Sequence, residues 1–199
     1  MPRTFSSLLL LAVLAAPAAA AQTAIPGAAE RALSADELRD IARREMVWCE
    51  NHRPAEKDCE TMTLVSLLPD GRVRETGVMR LSRSPDVSLV IDGVSRLEGG
   101  RICSVYDDES LRLAFLMNGR PMPAPATREL EAAVRDAMEE FRGKTLCQSF
   151  HTAGGVDRLR EEVTVDGVRR TDLESTYRLQ ADESGLDVRA PEEPEESRV

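Results

Sequence analysis

The spacing of apolar residues changes several times along the chain, and these changes divide it into segments. Between Leu8 and Ala16 almost every side chain is apolar, whereas the stretch from Ser34 to Glu50 carries apolar residues at helical spacing. From Thr61 onward apolar and polar residues mostly alternate, which is typical of strands that bury one face. The pattern therefore predicts an apolar leader, a helix and then a largely stranded domain.

The first helix is predicted to begin after Ser34 and to end near Glu50. Ser34 and Glu37 have the spacing of a capping box, in which each side chain accepts a hydrogen bond from the other residue's amide. The apolar face of this helix comprises Leu38, Ile41, Ala42, Met46 and Cys49. A second helix is predicted from an N-cap at Thr127 to a glycine stop at Gly143. Regular structure is not expected in the preceding stretch, Pro121–Pro125.

The strands are predicted to pair mainly antiparallel. A hairpin joins Thr61–Leu68 to Arg72–Ser82 through the turn sequence Pro69-Asp70-Gly71. Further strands are expected at 87–91, 102–106, 111–117, 144–151, 159–165, 173–179 and 186–188. The predicted class is therefore α+β, with mainly antiparallel sheet and two amphipathic helices.

The order of helix, cysteine, strand, Asp-Gly turn and strand occurs in residues 34–118 and again in residues 126–190. A duplicated helix-plus-strands unit is one interpretation of this order. Two α+β halves of independent origin, or one continuous sheet, are the alternatives.

The two ends of the chain have compositions unlike the predicted domain at 34–190. Residues 1–21 combine Arg3, an apolar run shorter than the roughly 20 residues that span a bilayer, and an Ala-x-Ala end. They predict a signal peptide cleaved after Ala20 or Ala21, a periplasmic or secreted product, and no integral membrane segment after cleavage. Residues 22–33 are expected to be a flexible lead, and 191–199 an acidic disordered tail.

Charge argues against nucleic acid as a partner. The chain has 26 basic and 35 acidic residues, so cleavage at Ala21 removes Arg3 and leaves a formal charge of −10. Nucleic acid binding needs a clustered basic surface, whereas the arginines here are dispersed among acids.

Four cysteines remain after cleavage, an even number that fits two disulfides in an oxidising compartment. Three pairings are open to them. The favoured one joins Cys49 to Cys59 around a polar loop, and Cys103 to Cys147 across a long loop. Bridges of these spans stabilise by on the order of 3 and 4 kcal/mol in the chain-entropy account.

Both histidines lie close to a cysteine, which raises a zinc hypothesis. Cys49 precedes His52 by three residues and Cys147 precedes His151 by four, so the halves could meet in a Cys₂His₂ site. The expected oxidising compartment, the two remaining cysteines and the absence of a Cys-x-x-Cys pair argue against it. We therefore predict neither a metal nor a cofactor.

The loop from Cys49 to Cys59 is the most polar and least regular piece of the predicted domain, and a loop held by a bridge is suited to binding. The candidate binding residues are Glu50, His52, Arg53, Asp58 and His151. The carboxylate pairs Asp107-Asp108 and Glu161-Glu162 are assigned to turns or to a solvent-facing side of a strand.

No common catalytic or phosphate-binding motif occurs in the sequence. The leading hypothesis is thus an exported, disulfide-stabilised, non-catalytic binding or envelope-associated protein whose partner is a protein or a small molecule. A periplasmic hydrolase using His52 or His151 beside acids is the second hypothesis, and a zinc-binding protein is the third. The sequence leaves the oligomeric state open.

Overall fold

A computed structural model describes residues 30–107, 110–152, 155–181 and 186–189. The helices within these ranges are α1 (Ala35–Arg43) and α2 (Ala124–Ala137), with short 3₁₀ turns at Glu139–Phe141 and Thr171–Leu173. The strands in chain order are β1 (Arg31–Ala32), β2 (Val47–Glu50), β3 (Asp58–Cys59), β4 (Thr61–Leu67), β5 (Val73–Arg83), β6 (Asp86–Glu98), β7 (Arg101–Val105), β8 (Leu111–Met117), β9 (Arg120–Pro121), β10 (Thr145–Thr152), β11 (Arg158–Val165), β12 (Val168–Arg169), β13 (Thr176–Gln180) and β14 (Asp187–Val188).

Eight of these strands close into an antiparallel barrel. Going around the wall, β2, β4, β5, β6, β7, β10, β11 and β13 each pair with the next, and β13 returns to pair with β2. Their order around the wall is their order along the chain. The barrel is therefore of the up-and-down type, and the segment from β8 through α2 is an insertion between β7 and β10.

The insertion starts from the long strand β6. The first part of β6 pairs with β8, whereas its last residues, Arg96–Glu98, pair with β7. The sheet therefore branches at β6, with one side continuing around the barrel and the other extending through β8 and β9. α2 packs against β8 on this extension.

The predicted α+β class is wrong, because the described chain is mostly strand. A wall that closes on itself has no unpaired edge, and its interior is filled by its own side chains, so it does not need a helical layer. Residues 34–118 and 126–190 both supply strands to this single wall. They do not form two separate helix-on-sheet layers.

α1 closes one end of the barrel. The predicted capping box is present, with the Glu37 amide donating to Ser34 Oγ (3.3 Å) and the Ser34 amide donating to Glu37 Oε2 (2.9 Å). The buried face of the helix, Leu38, Ile41 and Ala42, joins a core cluster with the inward side chains of the wall. The apolar end of the barrel is thereby sealed.

The first helix ends at Arg43 and not near Glu50 as the apolar spacing predicts. Glu45 has φ of 50°, a left-handed conformation that ends the helix. Met46 and Trp48 then contribute to the core from an extended segment, with Trp48 only 2% exposed. The core residues Met46 and Trp48 are thus two positions apart, as in a strand, and not three or four positions apart, as in a helix.

α2 begins at Ala124, inside the proline-rich stretch for which no regular structure is predicted. Pro125 lies in the first turn, where the missing amide hydrogen has no intrahelical acceptor to lose. Thr127 is not the N-cap, since its hydroxyl donates to the carbonyl oxygen of Met122 (3.2 Å). The helix stops before Gly143, which follows the 3₁₀ turn with φ of 71°.

The end of the expected flexible lead belongs to the barrel. Arg31 and Ala32 pair with β10, and Leu33 is buried in the core cluster. The expected signal peptide (1–21) and the acidic tail (191–199) lie outside the described residues. Neither α1 nor α2 has the length and hydrophobicity that a bilayer crossing requires.

Two disulfides, Cys49–Cys59 and Cys103–Cys147, connect the pairs favoured from the sequence. Cys103 and Cys147 are directly opposite each other on β7 and β10. Trp48 on β2 and Ile102 on β7 face the interior core, so the cysteine next to each lies on the outer face of the wall. The bridges therefore reinforce the wall from outside.

The spans of the two bridges predict different contributions to stability. The bridges close loops with sequence separations of 10 and 44 residues. Replacing both cysteines by serine is expected to lower the free energy of unfolding by about 3 kcal/mol for the Cys49–Cys59 pair and about 4 kcal/mol for Cys103–Cys147. Denaturant unfolding of the two double variants measures this order, and a greater loss at Cys49–Cys59 would contradict it.

Two glycines in the turn between β6 and β7 provide a matched test of how closely this turn packs against the segment before α1. Gly99 and Gly100 both have positive φ, but a Cβ at Gly100 would lie 2.9 Å from the carbonyl oxygen of Leu33, whereas one at Gly99 meets nothing within 4 Å. Both alanine variants should lose about 1 to 2 kcal/mol from backbone strain. Gly100→Ala should lose at least about 1 kcal/mol more, because the segment before α1 must move. Equal midpoints in urea would show that this contact is unimportant.

Candidate functional site

Three glutamates from different strands point into the barrel. Along β11 the side chains of Leu159, Glu161 and Val163 share the inner face, and Glu161 is 2% exposed. Glu50 continues the inner face of β2, and Glu75 that of β5. We call Glu50, Glu75 and Glu161 the interior acids.

Each interior acid accepts a hydrogen bond from a hydroxyl group. The pairs are Ser175 Oγ to Glu50 Oε1 (2.5 Å), Ser95 Oγ to Glu75 Oε2 (2.5 Å) and Tyr177 OH to Glu161 Oε2 (3.1 Å). Neutral donors of this kind hold a carboxyl group in place without cancelling its charge. The acids are thus held in position by donors that bring no positive charge.

Burial raises the pKa of all three interior acids. For Glu161 the pKa rises to about 8, first because of burial and second because the Glu50 carboxylate repels a second negative charge. Burial also raises the pKa of Tyr177, and all three acids add to that shift. These four groups therefore act on one another across a shared interior.

The eight wall strands send no positively charged side chain into the interior, and Arg189, which follows β14, is the cation that acts on Glu50 among the described residues. All residues of the eight wall strands are described, and each arginine among them occupies an outward position in the strand alternation: Arg74, Arg80, Arg83, Arg96, Arg101, Arg158, Arg160 and Arg178. Several of these pair with acids on the outside, as Arg74 does with Asp92. The wall is thus acidic inside, with its arginines outside.

Several inward side chains of the barrel are only partly buried. Glu75 and Tyr177 lie deep in the barrel, surrounded by protein, yet both retain accessible surface, as do the inward residues Glu50, Thr63 and Gln148. We call the part of the interior that these five side chains bound the lumen. An eight-stranded barrel has room either for its own side chains or for one small ligand. Here the α1 end is filled by the apolar cluster, whereas the inward side chains of the lumen are polar and only partly buried.

An aromatic cluster adjoins the lumen. The ring of Trp48 lies edge-to-face against those of Phe150 and Tyr177, with centroids 4.8 and 5.8 Å away. Two buried polar atoms here, Trp48 Nε1 and Glu161 Oε1, make no well-aligned hydrogen bond with a described residue, and Gln148 is the polar side chain besides Tyr177 that reaches the Glu161 carboxyl group. A buried polar atom without a partner costs about 1 to 3 kcal/mol, so each is expected to find one in water or in a ligand.

The structure does not bring the sequence-predicted binding residues together. Glu50 lies inside the barrel, whereas Arg53 and Asp58 form an ion pair in the loop (2.6 Å) that Arg189 joins (3.3 Å). His52 has a lowered pKa, caused first by its partial burial and then by Arg178 on the outer face. The bridged loop is therefore held by an ion-pair network that includes Arg189 from outside the loop.

His151 is on the outer face of β10, where its Nε2 lies 3.6 Å from Glu162 Oε2. His151 therefore lies beside an acid on the outer face of the wall and not in the lumen. Cys49 and Cys147 are both in disulfides and have no thiolate to offer a metal, so they cannot supply the hypothesised Cys₂His₂ site. The described residues contain no group of three or more potential metal ligands.

Sequence reasoning missed Glu75, Glu161 and Tyr177. It placed Glu161 with Glu162 on a solvent-facing side, which is wrong for Glu161. The signal was available, because Glu161 alternates with the apolar residues Leu159 and Val163 on one face of the strand.

A concavity of about 410 Å³ lies on the outer face of the β5–β6–β8 sheet. Three arginines line it, but Arg72 pairs with Asp70 and Arg74 with Asp92. Arg112 is exposed on the same side. The lumen, with buried polar atoms that lack well-aligned hydrogen bonds, is the stronger candidate site.

The chain matches no protein-family model, no curated protein sequence and no solved structure. What the barrel does must therefore be inferred from its own residues.

The raised pKa of Glu161 predicts a pH dependence of stability. The native state holds a proton that the unfolded state, with a pKa of 4.5, has released, so this group lowers stability progressively from about pH 4.5 to about pH 8. Glu161→Gln removes the effect. The variant should gain stability relative to wild type by up to about 1.4 kcal/mol per pH unit across that range. Urea unfolding at several pH values measures the gain, and a constant difference between the two proteins would refute it.

Proposed function

We propose that this protein is an exported, non-catalytic binding protein that holds one small molecule in the lumen of its barrel. The observation that carries the proposal is the set of unmatched polar groups inside a closed wall. Glu161 Oε1 and Trp48 Nε1 are buried without a well-aligned hydrogen bond, beside inward side chains that retain accessible surface. A ligand that supplies the missing partners would offset the cost of burying them.

The positions of the interior acids support binding. They come from β2, β5 and β11, which are spread around the wall, so a molecule in the lumen would be contacted from several sides. Each carboxyl group is oriented by a hydroxyl, which reduces the entropy that would be lost on binding. This arrangement favours one compact ligand over an extended partner.

Export is supported by two features. The first 21 residues have the composition of a signal peptide. The two disulfides fit an oxidising compartment, since such bonds form and persist outside the reducing cytosol. The proposal thus places the binding event in the periplasm or outside the cell.

The experiment uses the mature protein and a library that contains cationic, neutral and anionic small molecules. Gly77→Val fills the lumen, because a Cβ at this inward position would lie 3.3 Å from Thr63 Oγ1. Thr76→Val is the matched control, with the same new residue on the outer face of the same strand. We expect wild type and Thr76→Val to bind the same compounds, and Gly77→Val to lose them by about tenfold or more in affinity.

Amide NMR of the bound wild-type protein locates the compounds. Shifts centred on Glu50, Glu75, Gln148 and Tyr177 are expected. Binders that shift only outer-face residues, or that bind Gly77→Val as tightly as wild type, would contradict a site in the lumen. A library without any binder would also count against the proposal.

A further inference from the structure

We infer that the ligand of the lumen is a small organic cation with an apolar body, whose ammonium or guanidinium group is seated among Glu50, Glu75 and Glu161. This inference rests on the proposed function and names the chemical class of its ligand. It is carried by the signs of the charges, by the hydrogen-bonding groups left unmatched and by the rings beside them.

The charge of the interior selects a cation. The three carboxyl groups that face inward belong to the eight wall strands, and no Lys, Arg or His of those strands faces inward with them. An anionic ligand would meet carboxyl groups and no positive charge from these strands, in a poorly solvated space where repulsion by an ionised carboxylate is strong. A cation would instead supply the positive charge that the wall strands do not provide.

The carboxyl oxygens of Glu75 and Glu161 favour a ligand that donates hydrogen bonds. Ser95 donates to Glu75 Oε2 and Tyr177 to Glu161 Oε2, and the Gln148 amide is the other donor in reach of the Glu161 carboxyl group. Glu161 Oε1 is buried and makes no well-aligned hydrogen bond with a described residue. Ammonium and guanidinium groups consist of donors alone and form the stronger, charge-assisted hydrogen bonds with carboxylates.

The aromatic cluster borders the lumen through Tyr177, since Trp48 and Phe150 are only 2% and 3% exposed. Trp48, Phe150 and Tyr177 lie within 6.0 Å of one another by ring centroids, and Tyr177 also contacts Glu161 through its hydroxyl. The partly exposed Tyr177 ring offers an aromatic surface to an apolar group or a cation beside Glu161. A molecule with a positive end and an apolar end matches this combination of acids and rings.

The raised pKa of Glu161 predicts that binding of a cation depends on pH. The titratable groups that face Glu161 are Glu50, Glu75 and Tyr177, and none of them brings a positive charge. At neutral pH Glu161 mostly holds a proton, which a bound cation would displace. Binding should therefore release protons and tighten as the pH rises toward 8.

Three probes of nearly equal shape separate the charge classes: phenethylamine, phenethyl alcohol and phenylacetate. We expect phenethylamine to bind the mature protein at least about tenfold more tightly than the alcohol, and phenylacetate to bind most weakly. Calorimetry in buffers of different ionisation enthalpy measures the affinities and the proton release.

Single variants then identify the carboxyl groups that bind the positive charge of the amine. Glu161→Gln and Glu75→Gln should each weaken the amine by about tenfold and leave the alcohol nearly unchanged. Glu162→Gln is the matched control, since it removes the neighbouring acid on the outer face of β11 and should change neither affinity. Near-ultraviolet circular dichroism confirms that each variant is folded, and two interior variants keep the test decisive if one does not fold.

The outcomes separate this inference from the proposed function. If the alcohol or phenylacetate binds in the lumen as tightly as the amine, the lumen binds ligands but the cation assignment is overturned. Equal losses for amine and alcohol in Glu161→Gln, or no proton release, also overturn it. If none of the three probes binds, the inference fails, and the wider library decides separately whether the lumen binds anything.

Discussion

The pairing of β13 with β2 is the contact on which the rest of the molecule depends. It joins the last wall strand to the first, from Tyr177 opposite Glu50 to Gln180 opposite Val47. Once the wall is closed, the alternation of side chains along every strand becomes a division between inside and outside. The apolar core, the interior acids and the outward arginines are all consequences of that division.

Closure also explains how three carboxyl groups can be held inside a small protein. An isolated buried charge is costly, and the structure lowers the cost in two ways. Each acid accepts a hydrogen bond from a hydroxyl, and burial favours the neutral, protonated form, most clearly at Glu161. Burial of the apolar cluster under α1 stabilises the fold and offsets the free-energy cost of the buried polar groups in the lumen.

Local chemistry made much of the secondary structure predictable. The capping box at Ser34, the hairpin around Gly71 and the strand at Leu111–Met117 follow from short-range rules, and the structure contains all three. The class was not predictable in the same way, because closure depends on a pairing between residues more than 120 positions apart. The first helix was overextended, since Met46 and Cys49 satisfy a helical spacing although Met46 and Trp48 reach the core from an extended segment.

The site was harder to predict than the elements. A polar, irregular loop is typical of a binding site, so the sequence favoured His52, Arg53 and Asp58, which the structure places outside the lumen. An acid that alternates with apolar residues on a strand is a weaker signal in the sequence, yet that alternation is what places Glu161 inside the barrel. Of the predicted binding residues, Glu50 alone belongs to the lumen, for a reason that requires the barrel to be known.

The bridge between Cys103 and Cys147 has a consequence for how the molecule is made. These residues face each other across β7 and β10, and a slip of one position between the strands would turn Gln148 and Phe150 toward solvent. The thiols can meet only in the register that leaves those side chains within. Formation of this disulfide therefore requires the native register, so oxidation links β7 to β10 only when the correct face of each strand is buried.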